Sequence, residues 1–363
     1  MKTYSLFICL ALLMACNMSS PPQSSSSAEE GLFRHEQDEL IIHAITLMPE
    51  NTQFAMALIK AGEVEFLGVN RIDTSSFYTK NSSSVFEIGS ISKVFTSTLL
   101  AGLSIEGKIK LEDKVETQLP FSFKQGSEIT FEQLATHTAG LPRIPPSLET
   151  VSLDNPYLGF DETRLKRYLS QELLLENEPG KVCEYSNLSA AVLGYSLEKV
   201  SGSSYEELLQ QRIFTKYEMP HSTTLRENIK DRLVIGINDE GEEVPNWDME
   251  TFMGAGGILS TVEDLSKFAL AQFDSSNQEL NLTRQEFFPV TENFSMGLGW
   301  SLISAESGAI WNWHNGGTGG YTSSMILETE SQNGVIVLSN ISALGELTSE
   351  VSGLAHALML SLE

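Results

Sequence analysis

A serine and a lysine three positions apart, set in an apolar run, are the first residues of this sequence that could do chemistry. The stretch is "FEIGSISKVF", residues 86–95. Gly89 ends a β-like segment, and "SISKVFTSTLLAGLSIEG" follows with a helical pattern that closes near Gly107. Ser90 then falls at the helix start, where unpaired backbone N–H groups and the positive dipole end favour developing negative charge. Lys93 lies on the same helical face, within reach of the Ser90 hydroxyl. A lysine that is partly desolvated has a depressed pKa and can accept or relay the serine's proton, turning the hydroxyl into a nucleophile. Ser92 competes for the same attention. On this tetrapeptide alone the plainer account stands ahead: Ser90 as a helix cap and Lys93 as a solvated side chain.

The elements that would position such a pair follow from the apolar pattern. Residues 29–48 suit an opening helix, with Leu32, Phe33, Leu40, Ile41, Ala44 and Ile45 near one face. "FAMALIKAGEVEFLGVN" reads as two strands around a Lys-Ala-Gly turn. From about 110 to 250 strand signals fade. Helical runs such as "FEQLATH", "TRLKRYLSQELL" and "SAAVLGYSLEKVSG" alternate there with Pro- and Gly-bearing loops. Strands return from 294 in "FSMGLGWSLI", "AIWNWHNGG", "YTSSMILET" and "GVIVLSN", and a helix at about 346–362 closes the chain. Strands at both ends with helices between them predict one mixed domain interrupted by a helical insert.

The letters around the pair carry more than the pair does. Phe86-Glu87-Ile88-Gly89-Ser90-Ile91-Ser92-Lys93 closely resembles the active-site signature of class C β-lactamases, members of the penicillin-recognising serine hydrolases. "Tyr185-Ser186-Asn187" resembles the family's second element, a Tyr-x-Asn. "His314-Asn315-Gly316-Gly317" stands where the third is normally Lys-Thr-Gly. The connectors "EGKIKLEDKV", "LATHTAGLP" and "GAGGILSTVEDLSKFA" are family-like too, and the likeness spans about residues 30–363. Taken singly, Tyr185 reads as a core aromatic, Asn187 as a cap and His314 as a strand histidine; in this order they do not.

The resemblance implies an α+β fold, an antiparallel sheet flanked by helices plus an all-α lobe. Residues 29–109 and 251–363 would form the first lobe and 110–250 the second, with the active site between them. It implies catalytic Ser90, Lys93 and Tyr185, with Asn187 on Lys93 and on the substrate's amide. The backbone N–H groups of Ser90 and Gly317 would form an oxyanion hole beside Gly316. The implied activity is acyl-enzyme hydrolysis of a β-lactam, a D-amino-acid peptide or an ester. The competing class of function is a catalytically silent lipoprotein that binds or senses cell-wall peptides. His314 departs from the pattern, because histidine is mostly neutral at neutral pH where the family's lysine is a permanent cation. We expect it to act as a neutral hydrogen-bond donor and to weaken β-lactam turnover.

Composition narrows the partners. The chain has 363 residues, 23 Lys and Arg against 48 Asp and Glu, and a formal charge of −25, which argues against phosphate-mediated nucleic-acid binding. No Gly-x-Ser-x-Gly elbow, zinc-protease motif or phosphate loop occurs, so no metal or organic cofactor is expected. The first fifteen residues have the lysine and apolar core of a secretory signal too short to span a membrane. The ending "LLMAC" resembles a bacterial lipobox, so Cys16 is expected to carry lipid, with residues 16–28 a tether and the protein anchored in the cell envelope. Cys183 then remains as a free thiol, expected to be a small buried hydrophobe.

Overall fold

Gln53–Lys60 (β1) and Glu63–Ile72 (β2) are the two strands expected around the Lys-Ala-Gly turn. Ala61 and Gly62, with φ of 50° and 81°, give that turn the left-handed pair that matches hairpin twist. This computed structural model describes residues 35–148 and 154–363. The signal segment 1–15, the tether 16–28 and Cys16 therefore lie outside the described residues.

Among the described residues nine strands form one antiparallel sheet. After β1 and β2 come Ser75–Thr79 (β3), then Phe86–Glu87 (β4) and Leu259–Ser260 (β5), which pair apart from the main sheet. Phe288–Thr291 (β6), Phe294–Met296 (β7), Ser301–Ser304 (β8), Ile310–Gly317 (β9), Thr322–Glu328 (β10) and Asn333–Ser339 (β11) complete it. The spatial order is β3-β2-β1-β11-β10-β9-β8-β7-β6, so the N-terminal hairpin closes onto the C-terminal strand, with Phe54 opposite Ser339 and Ile59 opposite Gly334. The strands that sequence patterning did not predict, β3 and β6, are the two edges. Both are largely exposed and lack the apolar alternation that marks a half-buried strand.

Both faces of the central strands are covered, and the period of two shows how. Phe54, Met56 and Leu58 of β1 join Val335 and Val337 of β11 under helices His35–Leu47 (α1) and Thr348–Leu360 (α10). Ala55, Ala57 and Ile59 face the opposite way, with Ile336 and Leu338, into a larger core. At the heart of that core lies Ser92–Ile105 (α2), every residue of which from Ser92 to Leu103 is buried. A helix that is buried nearly all round belongs between two layers, and α2 separates the sheet from the helical region.

The helical region holds Phe131–Ala135 (α3), Glu162–Arg167 (α4), Asn187–Ser201 (α5) and Tyr205–Leu209 (α6). Met253–Gly256 (α7), Val262–Gln272 (α8) and Gln278–Thr283 (α9) lead back to the sheet. Residues 233–246 run against the sheet: Ile237 bridges Ile341, and Tyr321 donates to the Val234 carbonyl at 2.5 Å. Gly254 packs on α5 so closely that a Cβ there would meet the Ala190 carbonyl at 2.8 Å. That contact brings the following Ala255 carbonyl up to the N-terminus of α2.

Candidate active site

Ser90 lies in a single 3-10 turn, Gly89–Ile91, that leads into α2. Its side chain caps nothing, contrary to the N-cap reading; the turn begins at Ile88 without a side-chain cap. Instead Ser90 Oγ accepts a hydrogen bond from Lys93 Nζ at 3.0 Å. The competing Ser92 is buried, and its Oγ accepts the Ile258 amide at 3.1 Å, a structural bond that removes it as a nucleophile.

Lys93 is 2 % exposed, so it is not the solvated side chain of the plainer reading. Besides Ser90 it reaches Asn187 Oδ1 at 2.9 Å and the Ala255 carbonyl at 2.7 Å. Three acceptors suit an ammonium. Burial, and secondarily the positive charge of Arg143, nevertheless push its pKa well below the usual lysine range. The same geometry serves the neutral amine, which donates to Asn187 and Ala255 and accepts from the Ser90 hydroxyl. Proton transfer between Ser90 and Lys93 therefore needs no rearrangement of partners.

Tyr185 stands beside Ser90 in the wall of the cleft. Burial raises its pKa to about 12, an effect that the Ser90 hydroxyl and the Arg143 charge partly offset. The resting side chain is thus a phenol. Lys93, 4.8 Å from the ring centre, is the better base, its pKa lowered by burial. A second cationic side chain over the Tyr185 ring is Arg143, at 5.2 Å, a residue that sequence reasoning passed over.

The segment "THTAGLP", noted only as a connector, is what holds the Tyr-Ser-Asn element. The Glu184 amide donates to the His137 carbonyl at 2.8 Å, and the Ser186 amide to His137 Nδ1 at 3.2 Å. Ser186 Oγ donates to the Pro142 carbonyl at 2.7 Å, and the Leu188 amide to the Arg143 carbonyl at 3.1 Å. Ser186 Oγ also accepts the Ser189 amide, capping α5. Asn187 is thereby fixed at the first turn of α5. Its Nδ2 donates to the Tyr157 hydroxyl at 2.9 Å.

The opposite wall is β9. Thr318 N–H bonds the Tyr321 carbonyl, so by antiparallel alternation the Gly316–Ser323 pair is hydrogen-bonded and the Gly317–Thr322 pair is not. The Gly317 amide consequently points away from β10, toward the turn of Ser90. Gly89 has φ +50°, and a Cβ there would lie 2.5 Å from the Gly317 nitrogen; only glycine allows this approach. Gly316 is constrained by the Ile88 carbonyl in the same way, and Ser323 Oγ donates to that carbonyl at 2.9 Å. The Gly317 amide and the first-turn amide of Ser90 are therefore brought together as a donor pair.

His314 is buried behind Tyr185, with ring centres 6.3 Å apart. Burial, followed by the Lys93 charge, pulls its pKa down to about 3, so the ring is neutral. Nδ1 donates to the Asn315 carbonyl at 2.6 Å, which leaves Nε2 as an acceptor. The neutral state agrees with the expectation, but the free nitrogen accepts where a donor had been expected. Cys183 is half-buried, its thiol pushed up to about 11 by burial, and it donates weakly to the Thr136 carbonyl. Among the described residues no cluster of His, Cys, Asp and Glu could hold a metal ion.

A cleft of about 560 Å³ opens over Ser90, walled by Tyr185, Asn187 and Arg143 on one side and Asn315–Gly317 on the other. A serine at the cleft paired with a buried lysine, a tyrosine and paired amides on this fold define a penicillin-recognising serine-hydrolase architecture. The family model described as Beta-lactamase matches residues 53–354, and the chain belongs to that family. It is 28% identical over 279 residues to "Penicillin-binding protein 4*" of Bacillus subtilis (strain 168), covering 71% of this chain and 61% of that protein. To "Penicillin-binding protein 4" of Amycolatopsis lactamdurans it is 25% identical over 297 residues, 73% and 74% of the two chains. The solved β-lactamase/D-alanine carboxypeptidase of Yersinia pestis, complexed with citrate, shares the fold with a TM-score of 0.74. That match has 22% identity and covers 90% of this chain and 99% of that one. The chain spans about three fifths of the length of several curated relatives it matches, 61% of the Bacillus subtilis protein and 59% of "Protein flp" of Staphylococcus aureus (strain MW2).

Proposed function

We propose that the protein is a serine hydrolase that works through an acyl-enzyme on D-amino-acid peptide, β-lactam or ester substrates. The observation that carries the reading is Lys93 Nζ, buried, 3.0 Å from Ser90 Oγ and held by two further acceptors. Neutral Lys93 takes the hydroxyl proton as Ser90 Oγ bonds to the acyl carbon. The Ser90 and Gly317 amides stabilise the oxyanion, each such donor contributing about 2.7–4 kcal/mol. Tyr185 protonates the departing atom, the acyl–leaving-group bond breaks, and the proton on Lys93 restores the phenol. Water then cleaves the ester by the reverse proton path, and Ser90 recovers its hydrogen.

The neutral His314 supports slow β-lactam turnover, since it offers no cation where the third motif usually has lysine. The family's relatives named for penicillin binding and D-alanine carboxypeptidase activity support an acyl donor of that chemistry. The lipobox-like "LLMAC" supports lipidation at Cys16 and a place in the cell envelope, tethered to the membrane. The deciding assay sets the purified protein against nitrocefin, a D-Ala-D-Ala peptide and a p-nitrophenyl ester. Mass spectrometry then looks for an acyl adduct on Ser90. Binding without any adduct or turnover would instead favour the silent peptide-sensing lipoprotein.

A further inference from the structure

His314 leaves a question about charge in the cleft. It is neutral, buried, and tied to the Asn315 carbonyl. Lys93 is enclosed, with all its partners internal to the protein. Neither can meet an anionic substrate group as a free cation.

Arg143 can. It is exposed at the cleft mouth, and among the described residues lining the cleft it carries the one formal charge. None of the ion pairs among the described residues involves it. Its backbone is fixed: the carbonyl accepts the Leu188 amide, and Pro145 and Pro146 stiffen the chain just beyond. Its guanidinium lies 5.2 Å from the centre of the Tyr185 ring, a stacking that pre-orients the planar fork. The surrounding negative charge repels anions from most of the surface, so this point is where one can be drawn in.

We infer that Arg143 is the cation by which this cleft recognises an anionic group, a carboxylate, carried by the acyl substrate. The inference rests on the serine-hydrolase reading and shifts anion recognition from the third-motif strand to the loop that holds Tyr185 and Asn187. A guanidinium–carboxylate pair there is charge-assisted and bidentate, and partly screened by solvent.

The test compares three p-nitrophenyl-type esters of similar size. One has a carboxylate on the acyl side (p-nitrophenyl succinate), one on the leaving group (the butyrate ester of 4-hydroxybenzoate), and one is neutral (p-nitrophenyl butyrate). For wild type the ratio of kcat/KM for a charged ester to the neutral one should fall as salt rises. In Arg143→Ala that ratio should drop about tenfold or more, with Arg143→Lys between, and the affected ester tells which side of the scissile bond carries the charge. Equal losses on all three esters would mean that Arg143 acts only through Tyr185, and the inference would be overturned, as it would by unchanged ratios. Calorimetric titration with glutarate and with glutaramide, on wild type and Arg143→Ala of matched melting temperature, reads the anion site without turnover. If wild type cleaves none of the esters, nitrocefin or a D-Ala-D-Ala peptide, the hydrolase reading fails, while selective loss of glutarate binding in Arg143→Ala still upholds the anion site and its persistence refutes it.

Discussion

Lys93 Nζ lies 2.9 Å from Asn187 Oδ1, although the two residues are 94 positions apart in the chain. The bond crosses from α2, in the core beneath the sheet, to the first turn of α5 in the helical region. It fixes the amine's orientation toward Ser90, and because Asn187 is uncharged it adds a hydrogen bond without the charge that would hold Lys93 protonated. Asn187→Asp should reverse this. A carboxylate at that distance favours the ammonium, so kcat/KM at neutral pH should fall about ten- to a hundredfold and recover as pH rises. A pH–rate profile that keeps its wild-type shape would refute the role of neutral Lys93 as base.

Ser90→Ala should abolish turnover and acyl-adduct formation. Because the Ser90 side chain caps no helix, the lost stability should be smaller than the cost of about 1 kcal/mol for a removed cap. Melting temperature and hydrolysis measured on the same sample check both halves, and near-wild-type hydrolysis would end the catalytic assignment.

His137→Ala tests the loop that holds the Tyr-Ser-Asn element. The variant leaves the buried Ser186 amide without its acceptor, at a cost of about 1–3 kcal/mol, and removes the ring packed 4.6 Å from that of Tyr185. We expect kcat to fall with little change in KM, since Tyr185 and not the cleft walls loses its support. Steady-state kinetics showing a change in KM alone would contradict this.

Acid should weaken the fold. The His314 and His137 pKa values are both lowered, chiefly by burial, with His314 at about 3. The unfolded chain binds protons at these sites as pH falls through about 6.5, whereas the folded chain resists doing so. Their contribution to stability is therefore complete above that pH and is progressively lost as pH falls through the folded values. Urea midpoints from pH 7 to 4 should decline, and His314→Gln should flatten the decline. Equal slopes in both proteins would place the acid sensitivity elsewhere.

Cys16→Ser should release the protein from the membrane fraction. Two or three acyl chains anchor firmly, where one binds only marginally, and no helix among the described residues is long and apolar enough to cross a bilayer. Unchanged membrane association on fractionation would argue against lipidation at this residue.

Much of the fold was legible in the chain itself. Alternation marked β1, β2 and β7 to β11, and the three ordered elements at Ser90, Tyr185 and His314 pointed to the family before any contact was known. Periodicity reports which face of an element is apolar, and spacing along a helix puts Ser90 beside Lys93. Neither reports what arrives from a distant part of the chain. The edge strands β3 and β6 escaped because exposed edges have no apolar alternation to show. Arg143 and His137 escaped because a side chain in a loop has no periodic signature, and their positions depend on the pairing of residues 137–143 with 184–188. The sequence could suggest a depressed Lys93 pKa and a neutral His314 but not their cause, since it is burial, a property of the assembled fold, that removes water and moves both toward the neutral form.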